Sequence, residues 1–213
     1  MQFMSIRIFL AIIILIVFCS SPLLAATEQR TALVIGNSEY HSGPLKNPVN
    51  DASEIAAALQ KLGFSVILKK NADRKNMAAS IKEFGKRLNR DGVGLVYYAG
   101  HGVQIDGQNY LIPIGASVQD ESDMKDEAIN VDRIFDVMDK AKSRVNIVIL
   151  DACRDNPYAR SFRSVSRGLA IIPKAPQGTF IAFSTGPGDV AIDGKGRNSP
   201  YTTALLRHIT ASG

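Results

Sequence analysis

Cysteine is almost absent from this chain, with two in 213 residues, Cys19 and Cys153, and histidine is nearly as scarce, with three. Without a C-x-x-C pair there is no thioredoxin-like dithiol. Without clustered Cys and His there is no zinc pattern, so no metal and no cofactor is expected. VIGNSEY carries one Gly where phosphate and dinucleotide loops need several. A phosphatase loop is missing too: it needs Arg at the sixth position after its cysteine, and here that position is Ala159, with Arg160 one too far. The formal charge of +5 is scattered, with no Lys/Arg run interleaved with aromatics. Nucleic acid is therefore not an expected partner. Internal repeats, low-complexity tracts and a second-domain linker are also lacking, so the length points to one domain.

What is present begins with a leader. Met1 to Ala26 reads as a secretory signal: Arg7, an apolar run from Ile8 to Phe18, then small Ala25 and Ala26. The run is short for a membrane span. Leu23 or Leu24 is an indifferent −3 residue, so retention as an anchor stands open beside cleavage. Bulky Phe18 before Cys19 argues against a lipoprotein. The reading taken is cleavage and export, to a periplasm or the outside, with no stable membrane insertion. Cleavage would remove one Arg and no acid, leaving residues 27–213 with 24 basic and 20 acidic residues. It would also leave Cys153 alone. Exported domains normally pair their cysteines, and an odd one is a candidate reactive thiol.

The rest alternates between buried strands and amphipathic helices. TALVIG (31–36), FSVILKK (64–70), VGLVYYAG (93–100), RVNIVILDA (144–152) and TFIAFST (179–185) read as strands. Residues 47–63, 73–90, 131–142 and those from Ser199 onward read as helices, with Asp73 as an N-cap. Asp106-Gly107 between apolar flanks signals a hairpin. Residues 154–178 read as a long exposed loop, and the acids Asp120, Glu121, Asp123 and Asp126 as a solvated one. Strands separated by helices imply right-handed crossovers and an α/β fold: a mostly parallel sheet with helices on both faces.

Ligands bind such sheets beyond the carboxyl ends of the strands. His101 falls just past the third strand and Cys153 just past the fourth. A thiol becomes a nucleophile as the thiolate, and an imidazole can take its proton and later return it to a leaving amine. Gly100 and Gly102 let the backbone turn and approach a substrate. The amide N–H groups of Gly102 and Cys153 could form an oxyanion hole. Each residue also has a plainer role open to it. Cys153 could fill core, Asp51 could favour a helix's first turn, and Asp151 could solvate a strand end.

YYAGHG followed by LDACRD resembles the caspase-like cysteine peptidases, and Asp-Ala-Cys looks like their metacaspase and paracaspase side. The opening RTALVIGNSEY…PLKNPVNDASEIAAALQKLGF is similar to bacterial members, and the likeness runs from about Arg30 to His208. It implies a caspase-like fold, a Cys153–His101 dyad, and protein or peptide substrates cut after Arg or Lys. It also implies that Asp51, Asp151 and Asp189 line the pocket for that basic side chain, where carboxylates would compensate a guanidinium and repel Asp. Caspase-like folds normally add a sixth strand after the last helix read here. A partner completing the sheet edge is thus an expectation, and a non-catalytic scaffold is the alternative function. A peptidase selective for basic residues would also find its own Arg160, Arg163 and Arg167 in the long loop.

Overall fold

The computed structural model describes residues 28–118, 121–152, 165–166, 169–186 and 191–211. Residues 1–27, Asp120, Cys153, Asp189 and the arginines Arg160, Arg163 and Arg167 lie outside the described residues. Among the described residues no helix is long and apolar enough to cross a membrane.

Five strands form the main sheet: β1 (Arg30–Gly36), β2 (Ser65–Lys70), β3 (Val93–Ala99), β7 (Val145–Asp151) and β9 (Thr179–Phe183). Their order is β2-β1-β3-β7-β9, and every pairing is parallel. The α/β expectation with a mostly parallel sheet is met. Helices α1 (Pro48–Lys61), α2 (Arg74–Arg87), α4 (Asp132–Ala141) and α5 (Pro200–His208) cover the faces. Because strand side chains alternate, each strand feeds two cores. Leu33, Ile35, Val96 and Tyr98 pack with Met77 and Phe84 of α2 and with α4. Ala32, Val34, Leu95 and Tyr97 pack with α1 and α5 on the other face. Phe84 is fully buried, and truncating such a ring to Ala costs about 3–5 kcal/mol.

The chain leaves β1 toward β2 and then crosses to β3 on the other side. The strand order therefore reverses between β1 and β3, the place where sheets of this kind bind ligands beyond their carboxyl ends. β9 forms one edge of the sheet, with Phe180 64% exposed.

Two local expectations needed correction, and a third was met. The acidic stretch is partly a short helix, α3 (Glu121–Glu127), since Met124 is fully buried and anchors it. One apolar anchor among six polar residues is too little for helical periodicity to register. The Asp106-Gly107 hairpin is real, with both residues at positive φ, but it belongs to a second sheet. There β4 (Gly102–Ile105) and β5 (Gln108–Leu111) are flanked by β8 (Val165–Ser166) and β6 (Ile129–Asn130). The long stretch read as an exposed loop thus contains β8. It also returns to the core: Leu169 is buried, and Asn109 clamps Ala170 by accepting from its N–H at 2.7 Å and donating to its carbonyl at 2.8 Å. An amide side chain acting as a backbone partner leaves no apolar signature.

Candidate active site

The β3–β7 register decides what meets at the sheet's edge. Ala99 pairs with Asp151, and Gly100 N–H donates to the Asp151 carbonyl at 3.3 Å. His101 is two residues past Ala99, as position 153 is two past Asp151. Gly100 is obligatory for a spatial reason: a Cβ there would lie 2.5 Å from the Tyr40 hydroxyl and 2.6 Å from that of Tyr98. Gly102 opens β4 beside Ala152, whose Cβ would sit 3.1 Å from any Cβ added at Gly102. Ile112 N–H donates to the His101 carbonyl, and because antiparallel pairing alternates, the Gly102 N–H faces away from β5.

His101 is buried, and its surroundings fix it at three points. Its backbone N–H donates to the Tyr40 hydroxyl at 3.0 Å, and its carbonyl accepts from the Tyr98 hydroxyl at 2.8 Å. The ring nitrogen Nε2 lies 2.6 Å from the Gly43 carbonyl oxygen. A carbonyl only accepts, so in the neutral ring Nε2 carries the hydrogen and Nδ1 holds the basic lone pair.

Asp51 and Asp151, far apart in sequence, meet at one residue. Ser199 N–H donates to Asp51 Oδ1 at 3.0 Å, and its hydroxyl donates to Asp151 Oδ2 at 2.5 Å. Thr202 Oγ1 adds a second donor to Asp151 at 3.1 Å and contacts the Tyr97 hydroxyl at 2.6 Å. Both carboxylates are buried. Asp51 does lie in the first turn of α1, but its carboxylate reaches out to the start of α5. Ser199 is the N-cap of α5, accepting from Thr202 N–H. Burial raises the Tyr201 phenol above its usual range, and the nearby Asp151 charge adds to this.

The segment before Ser199 is fastened over the start of α1. Asp193 accepts from the backbone N–H groups of Lys46, at 2.6 Å, and Asn47, at 3.3 Å, while Arg197 pairs with Glu54 at 2.8 Å. His41 and His208, set aside as surface or helix residues, are both exposed. The structure thus brings His101 and Gly102 to the end of β7, and Asp51 to Asp151. Tyr40, Gly43, Tyr98, Ser199 and Thr202 were not anticipated. Only Ser199 carried a signal, as a Ser before Pro at a helix start, and that signal said nothing of carboxylates.

The family model described as Caspase domain matches residues 29–213. Among curated proteins, the chain is 31% identical over 128 residues to mucosa-associated lymphoid tissue lymphoma translocation protein 1 of Homo sapiens, covering 60% of this chain and 15% of that one. It is 30% identical over 139 residues to caspase-1 of Mus musculus, covering 60% of this chain and 32% of that protein. The chain therefore spans less than a third of the length of these relatives. A crystal structure of a Geobacter sulfurreducens protein superposes with a TM-score of 0.59 at 19% identity, covering 84% of this chain and 81% of that one. That likeness concerns the fold.

Proposed function

The chain belongs to the caspase-domain family, and from that premise we propose that it is a cysteine endopeptidase cutting after Arg or Lys, with Cys153 as nucleophile and His101 as general acid/base. The observation that carries the reading is the β3–β7 register, which sets Ala99 opposite Asp151, so that His101 and position 153 each follow that pair by two residues in sequence.

The thiol proton passes to His101 Nδ1, and the thiolate forms a bond to the scissile carbonyl carbon. The N–H groups of Gly102 and Cys153 receive the negative oxygen. Collapse breaks the C–N bond, and the imidazolium returns its proton to the leaving amine. A water deprotonated by His101 then attacks the thioester, which releases the acid and restores the thiol. With Nε2–H engaged by the Gly43 carbonyl, Nδ1 is the nitrogen that works. Asp51 and Asp151 receive the substrate's basic side chain, with Asp189 as a third carboxylate from the loop after β9. Export of residues 27–213 and addition of a partner strand along the outer edge of β9 belong to the same proposal.

The test is turnover of fluorogenic peptides ending in Arg, Lys or Asp by the purified protein. Arg and Lys peptides should be cut and Asp peptides spared. Preference for Asp would overturn the pocket assignment. A folded protein that cuts none of them would favour the scaffold alternative.

A further inference from the structure

The 37–45 segment, which follows β1, contributes two residues to the surroundings of His101, and one of them, Tyr40, meets both its backbone N–H and its ring. Tyr40 is buried, and its hydroxyl accepts from the His101 N–H at 3.0 Å and donates to the Ile112 carbonyl at 3.1 Å. The same hydroxyl lies 3.2 Å from that of Tyr98. Its ring packs on the imidazole, with centroids 4.4 Å apart and planes inclined at 53°. Three residues on, Gly43 supplies the carbonyl that takes Nε2–H. The segment is itself anchored. Asn37 N–H donates to the Ala99 carbonyl at 2.9 Å, and Leu45 N–H returns to Ser38 at 2.9 Å.

We propose that Tyr40 is a positioning residue for His101: its hydroxyl fixes the backbone at the end of β3, and its ring holds the imidazole with Nε2 toward Gly43, which leaves Nδ1 for proton transfer. The proposal rests on His101 being the general acid/base. The hydroxyl has to accept and donate at once, because it joins the His101 N–H to a carbonyl at the end of β5. Phenylalanine would keep the ring contact but leave a buried N–H without its acceptor. A residue without a ring would also free the imidazole to turn about its Cβ–Cγ bond, and a turned ring loses the Gly43 bond that sets the tautomer. Small displacements of a catalytic group are costly, with about 1 Å worth on the order of a hundredfold.

The experiment compares Tyr40→Phe and Tyr40→Leu with wild type, in kcat, in KM, and in the 15N shifts of the His101 ring. We expect kcat to fall about tenfold in Tyr40→Phe and on the order of a hundredfold in Tyr40→Leu, with KM changed less than about twofold. The ring shifts should report one neutral tautomer, protonated at Nε2, in wild type and a mixture in Tyr40→Leu. A kcat within twofold of wild type in folded Tyr40→Leu, or an unchanged single tautomer there, overturns the proposal. If Tyr40→Leu does not fold, Tyr40→Phe decides, and a wild-type kcat in it is the overturning result. If wild type cuts no peptide, the peptidase reading fails while the ring shifts still test the positioning.

Discussion

At the carboxyl edge of the sheet, His101 is held by two phenols and a backbone carbonyl, whereas Asp51 and Asp151 are joined through one hydroxyl residue, Ser199, at the start of α5. The two arrangements impose different things. Around His101 a carbonyl that can only accept chooses which nitrogen is protonated, so what is fixed is a tautomer and an orientation. Around the acids, neutral N–H and O–H donors orient two carboxylates without cancelling their charge, and a helix N-terminus adds a favourable field. In the proposed peptidase, the first arrangement serves proton transfer and the second serves recognition of a cation. Damage to one should appear mainly in kcat, and damage to the other mainly in substrate preference.

The largest expected effect lies on the first side. Cys153→Ala and His101→Ala should each lower kcat on an Arg peptide by on the order of 10⁴-fold or more. The double variant should be little worse, because the two act as a unit. Progress curves on purified variants check this, and a wild-type rate in Cys153→Ala would end the nucleophile assignment.

Next come the acids. Asn in place of Asp151 keeps an oxygen to accept from Ser199 and Thr202 and removes the charge. It should cost roughly 2–4 kcal/mol in kcat/KM for Arg peptides, with the melting temperature little changed. Asp51→Asn should do the same. An unaltered profile in both would leave them as structural partners of α5 alone.

Ser199→Ala tests stability instead. It removes an N-cap and a hydrogen bond to a buried carboxylate, and about 2 kcal/mol should be lost in a denaturant melt. Asp73→Ala provides the internal comparison. Asp73 is an exposed N-cap on α2, accepting from Asn76 N–H at 2.7 Å, and among the described residues it is bound to no second element. Its loss should cost about 1 kcal/mol. Equal losses would mean that the Asp151 contact adds nothing.

The smallest effect concerns Tyr201, whose phenol is raised by burial and by the Asp151 charge. A raised folded-state value means that stability is intact below the unfolded phenol range and lost as pH rises through the folded one. Wild type should thus weaken above about pH 10. Tyr201→Phe should weaken less steeply, as read from urea midpoints at pH 8 and pH 11.

Much of the fold was legible because the main strands are long apolar runs and the helices between them keep one buried stripe. Continuous runs of valine, isoleucine and leucine, and apolar positions at period 3.6, are properties of consecutive residues. Short elements were not legible: α3 depends on Met124, and β8 is a pair of residues whose strand identity comes from β4. His101 stood out through its two glycines and its place after an apolar run. Tyr40 and Tyr98 did not, since a tyrosine in or near a strand looks the same whether its hydroxyl meets water or a histidine backbone.

By itself, then, the sequence determined the alternation of strands and helices, the glycine-flanked histidine after the third strand, and a cysteine after the fourth. These are features of local composition and periodicity. Tertiary structure alone decided that β3 and β7 pair in a register that sets Ala99, two residues before His101, opposite Asp151. It also decided that the 37–45 segment closes on His101, and that Asp51 and Asp151 share Ser199 across 148 and 48 residues of chain. A hydrogen bond between distant residues depends on how every intervening element packs, and no window of consecutive residues contains that information.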